Sequence, residues 1–301
     1  MKIGIALPNH WGVDDPHEII DLAMRAEKHG FASVWTGEHL INVGYVNDRL
    51  GERPFHHCLT LLSAIAARTN RIALGTSILV VPFHHPLDLA KYVATLDQIS
   101  RGRVILGVGV GNIREEFEAL GIPWERRGAI TDESIDIWRE VWTQKEASHA
   151  GALWNFKNVH TSPKPFGGRR IPIWVGGHSD ASLRRTVRVG DGWHPTSIKA
   201  QELRDQIVLL RKMAADAGRD AETLEVCMRF HIALDDVGST ESAMRSTAQG
   251  YDPSRILKVA SEFAEAGATH LIYALNASDR DVLTATVDAL AKDVLPRFPS
   301  S

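Results

Sequence analysis

The 301-residue sequence predicts a (β/α)8 barrel of the α/β class, with insertions at its C-terminal face. Short β-rich runs alternate with helical patterns about eight times, and repeated βα units imply parallel strands joined by right-handed crossovers. The length also suits a barrel, which takes roughly 250 residues. No linker or composition break divides the chain, so one domain over residues 1–301 is expected. An open doubly wound sheet is the alternative.

Four strands and their helices are predicted in the first half of the chain. The strands are Ile3 to Pro8, Ser33 to Thr36, Ile72 to Val80 and Val104 to Gly109. Apolar residues three and four apart, with proline or glycine at the ends, predict helices over Pro16 to Gly30, Leu59 to Thr69 and Pro86 to Ser100, and two more near Glu115 to Leu120 and Glu133 to Thr143. The segment from Leu40 to His57 has no clear period and is predicted to be a loop.

The second half repeats the pattern after an excursion. Residues 147–165 are rich in aromatic residues and close on two prolines, which favours a hairpin. The predicted strands are Ile171 to Gly176, Gly192 to Pro195, Leu224 to Leu234 and His270 to Leu275. Helices are predicted over Ser179 to Val189, around Leu203 to Met213, over Pro253 to Ala266 and around Val282 to Val294.

Composition excludes several classes of function. The net charge is -3 with no basic run, so nucleic acid is not an expected partner. No apolar stretch reaches the ~18 residues of a membrane span and the N-terminus lacks a signal-peptide layout, so a cytoplasmic protein without a membrane partner is expected. Cys58 and Cys227 are far apart and read as reduced thiols. No HxxxH or HExxH motif occurs, so no metal site is predicted.

The end of the second predicted strand carries the first candidate catalytic residues. Active sites of such barrels lie at the C-terminal ends of the strands. Glu38 and His39 end the second strand, where a histidine can transfer a proton and an adjacent carboxylate can tune it. The alternative is a histidine that is hydrogen-bonded into the barrel rim.

Two glycine-rich turns are candidate ligand sites. Gly107 to Asn112 fails the GxGxxG dinucleotide pattern because the third glycine would fall at Asn112, yet small residues still allow a flat ligand to approach the backbone. The turn from Gly176 to Ser179 precedes a helix, so its N–H groups and the helix dipole favour a phosphate, although a plain strand-to-helix turn is the alternative. Trp193, at a strand end, is a candidate pocket wall.

Taken together, these segments resemble the luciferase-like family of flavin and deazaflavin oxidoreductases, over nearly the whole chain. The resemblance is carried, in the family order, by KIGIALP, VWTGEH, RIALGTSILVVPFHHPLDLAKYVATLDQISRGRVILGVGVG, EEFEALGIPWERRGAITDE, SPKPFGGRRIPIWVGG and GDGWHPT. Each piece is weak alone, whereas the combination is specific. The sequence is most similar to the branch that uses the deazaflavin coenzyme F420.

The resemblance implies roles for individual residues. Glu38 and His39 correspond to the catalytic pair beside the reactive face, and Ser77-Ile78 corresponds to a third-strand bulge whose non-proline cis peptide backs the ring. Arg169 and Arg170 are weaker candidates for contact with the acidic tail, because they precede a strand and could lie at the opposite barrel end. The residues expected to bind the cofactor are Thr76, Ser77, Ile78, Gly109, Gly111, Asn112, Gly176, Gly177, His178, Ser179 and Trp193.

The implied activity is hydride transfer between coenzyme F420 and a small organic substrate. Two alternatives stay open: a monooxygenase that uses flavin mononucleotide (FMN), and a non-catalytic barrel that binds a cofactor or nothing. A homodimer is expected. The substrate and the reaction direction do not follow from the sequence.

Overall fold

Eight parallel strands close into a barrel in the computed structural model, which describes residues 1–233 and 252–299. The strands are β1 (Lys2–Ala6), β2 (Ser33–Thr36), β3 (Ala73–Thr76) continued by β4 (Leu79–Val80), β5 (Val104–Gly109), β8 (Ile173–Gly176), β9 (Gly192–His194), β10 (Glu225–Ala233) and β11 (His270–Asn276), while β6 (Ala147–Ala150) and β7 (Asn155–Val159) form a separate antiparallel hairpin. Pairing of β1 with β11 and of β3 with β5 completes the ring. The predicted barrel is confirmed, and the open sheet is excluded.

Helices surround this barrel and connect its strands. They are α1 (Pro16–His29), α2 (Gly44–Leu50), α3 (Cys58–Arg68), α4 (Pro86–Ser100), α5 (Arg114–Ala119), α6 (Arg127–Thr143), α7 (Asp180–Val189), α8 (Ala200–Asp216), α9 (Pro253–Ala266) and α10 (Arg280–Asp293). Their ends follow the sequence signals: Asp15 caps the N-terminus of α1, and Gly30 ends that helix in the left-handed region at φ 90°. None of the described helices is long and apolar enough to cross a membrane.

Three predicted segments differ from the structure. The predicted third strand is interrupted after Thr76 by the Ser77-Ile78 peptide, which is cis as expected. The predicted loop contains the short helix α2, whose Val46 and Leu50 pack against Ile113, so tertiary contacts support a segment too short to show a period. Helix α6 begins six residues earlier than Glu133, at Arg127. The predicted hairpin is confirmed, and Leu234 lies outside the described residues.

Side-chain alternation along the strands separates two cores. The larger core fills the space between the barrel and the helices, while a small cluster inside the barrel contains Trp35, Trp174 and Cys227. The indole rings of Trp35 and Trp174 stack with centroids 5.1 Å apart. A Cβ atom at Gly75 would overlap the Trp35 ring, so this glycine makes room for the indole. The barrel is therefore packed solid below its C-terminal mouth, where polar side chains take over.

Candidate functional site

A cavity of about 340 Å³ opens at the C-terminal mouth of the barrel. Its lining comes from the loops after β1 and β2, the Ser77-Ile78 bulge with β4, the C-terminal ends of β5 and β8 with the loops after β5, β8 and β9, the strand β10 and the segment around α2. The residues that line it are His10, Gly37, Glu38, His39, Tyr45, Arg49, Phe55, Ser77, Ile78, Val80, Gly109, Val110, Gly111, Asn112, Gly176, Gly177, Thr196, Ser197, Arg229 and His231. Most of the residues predicted to form the site therefore meet in one place.

His39 lies in a chain of three polar side chains. Its Nδ1 atom is 2.7 Å from Oε2 of Glu116, which is almost fully buried and also accepts a hydrogen bond from the Leu40 N–H at 2.7 Å. Since a carboxylate only accepts, we assign the imidazole proton to Nδ1. The opposite Nε2 atom then carries a lone pair and accepts from the Tyr45 hydroxyl at 3.0 Å. This arrangement gives the cavity an oriented proton acceptor.

Glu38 has a different role from that of His39. One carboxylate oxygen accepts from the Val80 N–H at 2.7 Å, and the other lies 2.9 Å from Nε2 of His84. The side chain is only 1% exposed. Both oxygens thus hold the segment that follows the cis peptide. Glu38 lines the cavity, and its role is to position the cavity wall.

Ser77, which precedes the cis bond, is held by two residues from the far side of the barrel. The Ser77 hydroxyl lies 3.0 Å from Nε2 of His194, whose Nδ1 donates to the Cys227 carbonyl at 2.9 Å. The Ser77 carbonyl accepts from Arg229 Nη1 at 2.8 Å. Strands β9 and β10 therefore fix the backbone of the bulge at the cavity wall.

The titratable groups around the cavity include three histidines with lowered pKa and one arginine that stays cationic. Burial lowers the pKa of His231 to about 3, with a further contribution from the charge of Arg229, and burial lowers the pKa of His194 to about 4. Burial and the Arg229 charge also lower the pKa of His10 well below its usual range. Burial and the neighbouring Arg49 lower the pKa of Arg229 only to about 10, so it stays cationic at neutral pH. These three histidines are therefore neutral beside a permanent positive charge.

The glycines of the cavity make room mainly for one side chain. A Cβ atom at Gly176 would overlap Ile78 Cδ1, and one at Gly109 would lie 3.2 Å from Ile78 Cγ2. Gly111 and Gly177 have φ of 82° and 96°, a region that other residues rarely adopt. The glycines thus let Ile78 lie across the inner wall and let two turns pass close to the cavity.

Four of the predicted cofactor residues lie outside the lining. Thr76 is buried and donates to the Gly107 carbonyl at 2.8 Å. His178 and Ser179 are exposed at the rim, where Ser179 caps α7 by accepting from the Ser182 N–H. Trp193 is fully buried, and its Nε1 donates to the Gly177 carbonyl at 2.7 Å. Because His194 points into the barrel, strand alternation turns Trp193 outward, so it supports the glycine turn instead of walling the pocket.

Arg169 and Arg170 lie at the N-terminal end of β8, away from the mouth. Arg169 contacts Asp97 and the Gly102 carbonyl, and Arg170 Nε lies 2.8 Å from Asp191. The expectation that they meet an acidic tail is therefore wrong, because both are ion-paired at the end of the strand where the site is not.

Sequence reasoning missed several residues that shape the cavity. Glu116 sits in a helix without a motif of its own, and Tyr45 sits in the segment predicted to be a loop. Arg229 alternates along β10 with Phe230, which is buried outside the barrel, and shares the inner face with His231, which the barrel rule does select as a strand-end residue. Polar residues at every second position of a predicted barrel strand were the available signal, since an inward-facing arginine is unusual in a barrel core.

Comparison with known proteins agrees with this geometry. The family described as luciferase-like monooxygenase matches residues 1–293. A curated relative from Nakamurella multipartita, named F420-dependent glucose-6-phosphate dehydrogenase, is 33% identical over 245 residues, which cover 77% of this chain and 67% of the relative. The chain spans about two thirds of the length of the curated relatives it matches.

Solved structures share the whole fold at low identity. A monooxygenase, RslO1 from Streptomyces bottropensis, superposes with a TM-score of 0.81 at 24% identity and covers 99% of this chain and 100% of its own. An F420-dependent secondary alcohol dehydrogenase superposes with a TM-score of 0.79 at 19% identity and covers 97% and 98%. At these identities the likeness shows the barrel fold alone.

Proposed function

The chain belongs to the luciferase-like monooxygenase family, and from this premise we propose that it is an oxidoreductase that transfers a hydride between coenzyme F420 and a small organic substrate. The observation that carries the proposal is the cavity, which pairs an oriented histidine with a partly buried arginine. The curated relatives are named for F420, which favours a deazaflavin over FMN. The monooxygenase with FMN is the second candidate, since a similar fold occurs in a Baeyer-Villiger monooxygenase component from Pseudomonas putida solved in complex with FMN.

The cavity fits the ring of such a cofactor. Its volume of about 340 Å³ lies in the range of small-molecule pockets. The Ser77-Ile78 segment would back the ring, and Gly109, Gly111 and Asn112 would lie along its edge. The phosphate of the tail would meet the backbone N–H groups of the turn from Gly176 to Ser179 at the N-terminus of α7. When bound, the deazaflavin supplies the two-electron donor or acceptor.

The protein's own contribution is to orient the substrate and to move a proton. His39 Nε2 would take the hydroxyl proton of an alcohol substrate, or return it in the reverse direction. The Glu116 carboxylate holds the ring of His39 and stabilises its protonated form. Tyr45 contacts the same nitrogen and would pass to the substrate oxygen as the substrate enters. Phe55 packs edge-on against His39 with centroids 5.7 Å apart and limits water access.

Turnover measurements test the proposal. The purified protein would be incubated without oxygen with oxidised F420 and a panel of secondary alcohols and sugar phosphates, and with reduced F420 and the matching carbonyl compounds. Loss or gain of the visible band of the oxidised ring with at least one substrate is expected, with His39→Ala as the inactive control. No change in either direction, together with oxygen-dependent product formation from reduced FMN, would establish the monooxygenase instead.

The oligomeric state and the cellular location are two further parts of the proposal, and neither affects the reaction. We propose a homodimer, which size-exclusion chromatography with light scattering would test. A cytoplasmic location is proposed on the sequence composition, and fractionation of the source cells would test it.

A further inference from the structure

Arg229 occupies an unusual position inside the barrel. Strand alternation along β10 places Cys227, Arg229 and His231 on the inner face, and Cys227 belongs to the buried cluster below the cavity. Arg229 is therefore the first side chain of this strand above the packed core, and it lines the cavity. A ligand that reaches the inner end of the cavity would therefore contact the guanidinium of Arg229.

The polar contacts of this guanidinium leave its charge uncompensated. Arg229 Nη1 donates to the Ser77 carbonyl at 2.8 Å, and Nη2 donates to Nε2 of His10 at 3.0 Å. Its Nε atom is buried without a partner. Within residues 1–233 and 252–299, no carboxylate forms an ion pair with it; the neighbouring Arg49 is a second cation, and Glu38 is occupied by Val80 and His84.

A partly buried cation whose Nε is shut off from water favours an anion beside it. The nearby histidines cannot serve, because His10 and His231 are neutral and His10 already accepts from Arg229. Serine and backbone oxygens satisfy N–H groups but carry no net charge. None of the residues that the structure describes supplies the compensating charge, and a ligand at the inner end of the cavity would be in reach of the guanidinium.

We propose that Arg229 is the counter-charge for the reduced coenzyme, so that the protein binds reduced F420 more tightly than oxidised F420 and loses this preference when the charge is removed. The inference rests on the proposed function. In the oxidation of an alcohol the substrate C–H bond breaks, and its hydrogen leaves with both electrons for the ring, while the hydroxyl proton goes to His39. The ring thereby gains one negative charge.

The phosphate and the acidic tail do not weaken this argument. Both redox forms carry them equally, so their contribution cancels in the ratio of the two dissociation constants. Only the charge that differs between the forms remains, and it develops on the group that fills the cavity. Arg229 thus acts as a residue that sets the redox balance of the bound cofactor, in addition to holding Ser77 in place.

The test compares dissociation constants of both redox forms for wild type, Arg229→Gln and Arg229→Lys, measured without oxygen by fluorescence titration and by competition. The ratio of the oxidised to the reduced constant should fall at least tenfold in Arg229→Gln and should largely survive in Arg229→Lys. A tenfold change corresponds to about 30 mV in the midpoint potential of the bound two-electron couple, which spectroelectrochemistry measures separately. Arg211→Gln, an exposed arginine on α8, is the matched control and should leave the ratio unchanged.

The outcomes separate the possible roles of Arg229. Equal weakening of both forms in Arg229→Gln would leave only a structural role and overturn the proposal. Unchanged binding of both forms would overturn it too, and would assign the charge to an anionic substrate. If Arg229→Gln does not fold, the wild-type potential still decides, because the proposal requires the bound potential to lie above that of free F420. A wild-type protein that binds neither form would refute the proposed function itself.

Discussion

Replacing Glu116 with glutamine should disable His39 without removing it. The amide keeps the shape of the side chain, and its oxygen can still accept from the Leu40 N–H. Its NH2 group would then face Nδ1 of His39, so that nitrogen has to become an acceptor and the proton has to move to Nε2. The nitrogen that faces Tyr45 would lose its lone pair, and the negative charge 2.7 Å from the imidazole would be gone.

The expected loss follows from that contact. A charge-assisted hydrogen bond is worth about 1.5–3 kcal/mol, so kcat/KM in Glu116→Gln should fall by roughly ten- to a hundredfold, and further where the wrong tautomer dominates. His39→Ala should lose about 10² to 10⁴. The double variant should be no worse than His39→Ala, because both changes remove the same function.

Two measurements check this prediction. Steady-state kinetics with a substrate found by the panel gives kcat/KM, and the imidazole ¹⁵N shifts of His39 report the tautomer without any substrate. Glu115→Gln is the matched control, since Glu115 is the exposed neighbour on the same helix. The reasoning fails if Glu116→Gln keeps kcat/KM within about threefold of wild type, or if its His39 proton stays on Nδ1.

Three further changes test other parts of the structure. The pKa of His194 is lowered to about 4, so the folded protein loses stability as the pH falls from about 6.5 toward 4, and this loss reaches about 2 kcal/mol at pH 5. His194→Gln should flatten this part of the curve of unfolding free energy against pH, and an unchanged slope would contradict the assignment. Gly177→Val should weaken coenzyme binding at least tenfold because φ is 96° there, whereas Gly218→Val, at φ 69° and remote from the cavity, should not. Arg103 donates to four carbonyl groups, so Arg103→Met should cost about 3 kcal/mol in chemical denaturation; a change below 1 kcal/mol would refute that estimate.

The barrel could be predicted because its signals are local. Strand Ser33–Thr36 and helix Pro86–Ser100 match the predicted bounds, since proline, glycine and apolar spacing mark their ends. Helix α2 was not predicted, because its seven residues have only two buried side chains and are stabilised by packing against Ile113. That contact is absent from the local sequence pattern. The bulge at Ser77-Ile78 was predicted from family resemblance, since nothing in the residues themselves specifies a cis bond.

The site could be predicted only where a strand end pointed to it. Glu38 and His39 follow from the barrel rule, yet the rule does not say that Glu38 is bonded to the wall while His39 faces the cavity. The partner of His39 lies 77 positions away, and a pairing across that distance has no sequence signal. Trp193 was misjudged because a strand end alone does not give the face on which a side chain lies.

The central claim is that this cavity is built for a deazaflavin, and cofactor titration tests it most directly. The purified protein would be titrated with oxidised F420 and with FMN under the same conditions, and fluorescence would give both dissociation constants. The account predicts that F420 binds at least tenfold more tightly, a difference of about 1.4 kcal/mol. Equal or reversed affinities would contradict it in favour of a flavin monooxygenase, and binding of neither cofactor would favour a non-catalytic barrel.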